Sequence, residues 1–148
     1  MNELRKFVIF PLGKRHYAVP ASQVSELSMS ASVQHFPHTT PSLPGVLLRR
    51  GQVVGVCDVA SALDVAAGER KLFLIANCSV QGRTEPVAVP VTGECILADA
   101  VITSGLPAEQ FSLGSLALTG ETVSVLDLDS LIAYCTQGEG ARATELRR

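Results

Sequence analysis

Two aspartates occupy matching places in the chain, and two carboxylates brought together can share a proton and run acid–base chemistry. Asp58 closes the run Val53-Val54-Gly55-Val56-Cys57, and Asp127 closes Val123-Ser124-Val125-Leu126. One per half is the arrangement of a duplicated β-barrel hydrolase. Such sites set the aspartate on a tight turn beside Ser or Thr and Gly, whereas Asp58 precedes Val59 and Asp127 precedes Leu128. A helix-cap role fits these neighbours better, because an Asp just before a helical turn accepts from its free N–H groups. His35-Phe36-Pro37-His38 offers two imidazoles, but Pro37 intervenes and no third ligand accompanies them, so the segment reads as a solvated loop. Cys57, Cys78, Cys95 and Cys135 show no C-x-x-C spacing and lie in or beside apolar runs. They read as buried free thiols rather than zinc ligands or disulfides. Gly138-Glu139-Gly140 has no phosphate-loop context. No catalytic residue, metal ligand or cofactor is assigned.

The elements around the aspartates are more informative. Leu43 to Leu63 reads LPGVLLRRGQVVGVCDVASAL. Pro44-Gly45 is a turn signal, Val46 to Leu48 an apolar run, and Val53 to Cys57 a β-branched one. Arg49-Arg50-Gly51-Gln52 links them, with Gly51 free to take the positive φ of a tight hairpin turn. The segment is therefore a β-hairpin followed by one helical turn, Val59 to Leu63. The pattern returns 69 residues later in Leu116 to Ile132, where Gly120, Val123, Val125, Asp127 and Ser130 match Gly51, Val54, Val56, Asp58 and Ser61. Ala18-Val19-Pro20 returns as Ala88-Val89-Pro90 at an offset of 70. Two echoes at nearly one offset indicate an internal duplication.

The rest of the chain agrees. Its 148 residues suffice for one domain with a real core. With 47% hydrophobic and 18% charged residues it is globular. A net charge of −2 and the lack of Trp argue against a nucleic-acid partner or an acidic membrane surface. Val53 to Ala67 is the longest apolar-rich segment and carries Asp58, Ser61 and Asp64, so no membrane insertion is expected. Met1 to Lys6 is charged and no signal peptide follows, which points to the cytoplasm. Strands are expected at Phe7 to Leu12, with Pro11 marking an edge or end, at His16 to Val19, Leu72 to Val80 and Val87 to Val91, and around Val33. Pro20-Ala21-Ser22 opens a short turn or helix with Val24 and Leu27 as its apolar side. Thr92 to Glu109 is the least readable part, with Ile96, Leu97, Val101 and Ile102 in one strand or turn of helix. Ala66 to Lys71 is the joint between halves, and residues 137–148 are a loose tail. This is an all-β domain of two small sheets or barrels with short helices.

These residues resemble the CheW-like domain family, the coupling module of bacterial chemosensory systems. Tyr17-Ala18-Val19 and Val24-Ser25-Glu26-Leu27 match its Tyr-Gly-Ile-like strand and Val-x-Glu-Ile segment. Pro37, Gly45 to Gly51 and Val56-Cys57-Asp58-Val59 match its proline, its Gly-Val-Ile-Asn-Leu-Arg-Gly hairpin and the closing Val-Ile-Asp-Leu. Val125-Leu126-Asp127-Leu128 repeats that closure. Leu48, Arg49 and Gly55 depart from the family's Asn, Leu and Pro, which marks a divergent member. The resemblance implies two five-stranded β-barrel subdomains packed together with a groove between them, over residues 1–136. The subdomains are expected near 7–67 and 68–136, with the exchange of a strand left open. It also implies a non-catalytic adaptor that joins a CheA-like histidine kinase to the cytoplasmic tip of methyl-accepting chemoreceptors. A CheW-like module of a pilus-motility or other non-flagellar pathway is the alternative. Within the resemblance Val24, Glu26 and Leu27 form a receptor-contact face, and Arg50, beside Gly51, pairs with a carboxylate to hold the hairpin.

Overall fold

The computed structural model describes residues 3–29, 33–35, 42–103 and 111–138. Pro37, His38 and residues 139–148 lie outside them, so the loop and most of the tail are not described. Among the described residues eleven strands run in chain order: β1 Arg5–Leu12, β2 Arg15–Pro20, β3 Val24–Met29, β4 Gln34–His35, β5 Gly45–Arg49, β6 Gln52–Val56, β7 Leu72–Val80, β8 Arg83–Val91, β9 Ile96–Ala100, β10 Ser112–Leu118 and β11 Glu121–Leu126. A short helix, α1 Leu128–Ala133, follows and continues as a π-type turn, Tyr134–Gly138.

The strands form two curled sheets. The first has the order β10-β11-β2-β1-β9. It closes into a barrel through a backbone bridge between Thr103 and Ser115, each N–H donating to the other's carbonyl at 2.9 Å. The second has the order β3-β7-β8-β6-β5-β4. Its sixth strand, β4, is only two residues long and extends the five expected.

The sheets do not follow the halves of the sequence. The first barrel takes β1 and β2 from the first half and β9 to β11 from the second, while β7 and β8 complete the second barrel. The boundary expected at 67/68 therefore separates no sheets, and Ala66 to Lys71 joins β6 to β7 within the second barrel. The cause is the strand pairing. The hairpins of one half do not pair with each other; they pair in parallel with the other half, Ser124 and Val125 beside Tyr17 and Ala18, Gly55 and Val56 beside Val87 and Ala88. The two parallel contacts coincide at the 69- and 70-residue offsets of the sequence echoes.

The barrel interiors carry the duplication further. One is filled by Phe7, Ile9, Ala18, Leu116, Val123 and Val125, with Ala100. The other is filled by Phe73, Ile75, Ala88, Leu47, Val54 and Val56. The same residue types occupy six corresponding positions, three from each half. Alternation along each strand sends the intervening residues outward. Val8, Phe10, Leu12, Tyr17, Val19, Leu74, Ala76, Cys78, Val87, Val89 and Val91 meet between the barrels and form the largest core cluster. Strands β1, β2, β7 and β8 are thus buried on both faces, which is why they read as nearly continuous apolar runs.

Local chemistry agrees. In three hairpins the two turn residues both have positive φ: Arg50 and Gly51 (52° and 76°), Gln81 and Gly82 (51° and 79°), Thr119 and Gly120 (46° and 78°). These are type I′ turns, whose twist matches that of the flanking strands. Pro11 sits in β1 beyond Ile9, where pairing with β9 ends, so its missing N–H costs no ladder bond. Its carbonyl accepts from the N–H and the hydroxyl of Thr92, both at 3.1 Å.

Candidate docking face

The paired-aspartate arrangement does not form. Asp58 accepts from the Ala60 N–H at 3.2 Å and from the Arg70 guanidinium at 2.9 Å. Asp127 caps α1, accepting from the backbone N–H of Ser130 at 3.3 Å and its hydroxyl at 2.7 Å. Each carboxylate is committed to its own turn, as cap chemistry predicts. Among the described residues no cluster of three His, Cys, Asp or Glu side chains is placed to hold a metal, and no helix is long and apolar enough to cross a membrane. Cys57, Cys78 and Cys135 are buried and Cys95 is half-buried. Burial pushes the Cys78 thiol up to about 12, with the Asp129 carboxylate adding to it, and pushes Cys95 up to about 11. Both are protonated at neutral pH and unsuited to nucleophilic work.

Glu26 is the charged residue around which a surface is built. Val24 to Leu27 is strand rather than a helical turn, so Val24 and Leu27 do not share a helical face. A bulge between Val24 and Glu26 re-aims the strand, and the Ser25 hydroxyl bonds the Ile75 carbonyl at 3.1 Å. Val24 packs against the core between the barrels, while Leu27 and Met29 point outward. Strand β3 is one end of the second sheet, and Glu26 ties it to β5. Arg49 grips the carboxylate with two bonds, Nε at 3.3 Å and Nη2 at 3.0 Å. The Nη2 of Arg50 reaches the same carboxylate at 3.5 Å from an exposed position. Arg50 thus meets a carboxylate as expected, but the two-pronged grip belongs to Arg49, whose strand alternation turns it toward the seam. The hydrogen bond and charge of Arg49 hold Glu26 below the usual carboxylate range, and the Arg50 charge adds to the effect.

Beside this seam the second barrel exposes four large apolar side chains: Leu27 (43%), Met29 (74%), Leu48 (62%) and Val53 (64%). Leu48 and Val53 are directly opposed across the β5–β6 hairpin. The duplication supplies an internal comparison. Ladder register and offset place Leu97, Asp99, Ala117 and Thr122 at the corresponding positions of the first barrel. Only Leu97 is large and apolar; Asp99 pairs with Lys6 at 3.5 Å. Where the second barrel has Glu26 and Arg49, the first has Ile96 and Leu118. The first barrel exposes Ile96, Leu97 and Leu113, so both frames carry apolar residues outside, and in the second they flank the Glu26–Arg49 pair, a combination that suits contact with another protein. Of the partner-contact residues expected from sequence, Glu26, Leu27, Arg50 and Gly51 lie at this surface, where Met29, Leu48 and Val53 join them. The signal for Leu48 was present, an apolar residue where the resembled family has Asn.

Where the short parallel pairs end, the strands diverge and leave twin concavities. One, of about 220 Å³, is lined by Lys14, Arg15, His16, Tyr17, Glu121, Thr122 and Ser124. Its counterpart, of about 440 Å³, is lined by Gln52, Val53, Gly55, Glu85 and Pro86. His16 Nδ1 lies 3.2 Å from Glu121 at the rim of the first.

The fold is a pair of interlocked β-barrels, and the second carries a candidate docking surface of apolar side chains around a charged pair. The CheW-like domain model matches residues 6–134, and the chain belongs to that family. It is 26% identical over 145 residues to a probable chemotaxis protein CheW of Rhizobium etli, covering 93% of this chain and 92% of that one. Its fold is similar to that of the scaffolding protein TtCheW from Thermoanaerobacter tengcongensis, with a TM-score of 0.73 at 19% identity over 87% of this chain and 92% of the other.

Proposed function

We propose that this chain is a cytoplasmic, non-catalytic adaptor that couples a CheA-like histidine kinase to the tip of chemoreceptors, and that the Leu27–Met29–Leu48–Val53 face docks one of these partners. The observation that carries the reading is the apolar surface of the second barrel, where Leu27, Met29, Leu48 and Val53 are exposed beside the Glu26–Arg49 pair. Family membership supplies the class of partner. Apolar anchors around a charged pair suit a protein surface, the anchors contributing affinity and the charges orientation. Glu26 and Arg50 sit at the centre of the face, Gly51 shapes the hairpin that carries it, and Val24 supports β3 from beneath.

The test is binding of the purified chain to a CheA-like kinase and to a receptor cytoplasmic fragment from the same cell. Leu27→Asp and Leu48→Asp should each weaken binding to one partner about tenfold or more, in line with the loss of a buried aliphatic anchor. Asp99→Ala, on the corresponding face of the first barrel, should leave that affinity unchanged. Full affinity in both apolar-face variants would move the docking face elsewhere; binding to neither partner by the unaltered chain would remove the adaptor role.

A further inference from the structure

We propose that a second copy of this chain can take the place of its own half: on refolding, or with a shortened hinge, two chains exchange halves and form a dimer of two complete double-barrel lobes. Four ladders hold the halves together, β1 with β9, β2 with β11, β3 with β7 and β6 with β8. Among the described residues, the pairings within a half are the local hairpins, the short β4 edge and the single Thr103–Ser115 bridge. Neither half therefore closes a barrel by itself, and each barrel core takes three of its six matched residues from each half. Nothing in these contacts distinguishes a half of the same chain from the same half of another. One segment, Ala66 to Lys71, links the halves covalently, and its Gly68 has φ of 72°. If that segment runs on to a neighbouring molecule, every ladder and both cores re-form between chains. This is the geometry of domain swapping, in which the exchanged element and its contacts are unchanged and only the hinge differs.

The compact state of the hinge favours the single chain. Gly13 lies against the hinge so closely that a Cβ there would run into the Ala66 carbonyl. Arg70 bonds the Gly68 carbonyl at 3.1 Å and Asp58 at 2.9 Å. Exchange therefore requires unfolding, or a hinge too short to turn back. Each lobe of the dimer keeps its apolar face whole, because β3, β5 and β6 all belong to one half. The dimer then presents that face twice.

The experiment uses full-length chains with complementary lesions. Leu47→Asp damages the first half and Val125→Asp the second, each at a position with no exposure. Refolded separately, neither should show the wild-type thermal transition, because an unpaired charge is buried in one barrel. Refolded together from denaturant, the two unaltered halves should meet in one lobe. A transition at the wild-type temperature should appear only in the mixture, in a species whose mass by light scattering is that of two chains. Leu47→Ala with Val125→Ala repeats the test with milder lesions should the aspartate chains aggregate. Independently, deleting Ala67 to Glu69 should convert the otherwise unaltered protein from monomer to dimer. Mixtures that behave as the sum of their parts at every concentration, with a hinge-deleted chain that stays monomeric, would overturn the proposal.

Discussion

Gly51 and Gly120 occupy the same turn position in the two copies, with φ of 76° and 78° and open space where a Cβ would stand. The requirement for glycine is conformational rather than steric. Valine at either site should destabilise the protein by roughly 1–3 kcal/mol, and by similar amounts at both. Thermal melts of Gly51→Val and Gly120→Val check this; unshifted melts would mean the turns relax without cost. The thiols give a second residue-scale expectation. Burial holds Cys78 near 12 and Cys95 near 11, so at pH 8 a thiol reagent should label the native protein slowly. The half-buried Cys95 should react first, and all four thiols should become reactive in denaturant. Rapid labelling of Cys78 without denaturant would contradict its burial.

Strand β3 shows how an element turns a surface charge into a structural one. Were Glu26 a solvated surface charge, Glu26→Arg would leave stability nearly untouched, as exposed substitutions usually do. In the structure Glu26 closes the seam to β5 through Arg49, so the substitution brings three guanidinium groups together. It should lower the melting temperature as well as weaken docking, whereas Met29→Asp should weaken docking alone. The seam also has a pH signature. The Glu26 pKa lies below its ordinary value of 4.5 in the folded chain, so its contribution is fully present above 4.5. The contribution is lost as pH falls through the lowered value. Glu26→Gln should therefore be less stable than the unaltered protein at neutral pH, and the gap should narrow only as pH drops below 4.5. A gap that persists in strong acid would show that the carboxylate charge is not its source. At the other end of the chain, Asp127→Ala should cost α1 its cap, about 1 kcal/mol, read from denaturant unfolding.

Across the whole molecule the largest core lies between the barrels, not inside either. Leu74, on β7, is 1% exposed within it. Leu74→Ala should destabilise by about 2–5 kcal/mol, the range for a leucine truncated in a packed core. Both barrels should lose stability together, because β7 serves one barrel's sheet and the interface at once. A single cooperative transition at reduced temperature is expected in calorimetry. Two separate transitions would show that the barrels fold independently, against the exchange of strands described here.

The sequence by itself determined the class of the fold, the duplication and most of the strands. Its evidence was local: type I′ turn residues at Gly51 and Gly120, β-branched runs, and the caps Asp58 and Asp127. Tertiary structure alone decided which strands share a barrel. Offsets reveal that two units are alike, but pairing across halves and pairing within halves bury the same residues with the same periodicity. The ladders between the halves distinguish them: the parallel pairs β2–β11 and β6–β8 and the antiparallel pairs β1–β9 and β3–β7. The same limit applies to the proposed docking face. Glu26, Leu27 and Arg50 were legible because they fall in short motifs. Arg49 as the main grip depends on which face of β5 each residue takes. Met29, Leu48 and Val53 emerge as exposed only after the β3–β5 seam has closed, since an apolar residue in a strand looks the same in sequence whether it points into a barrel or away from it.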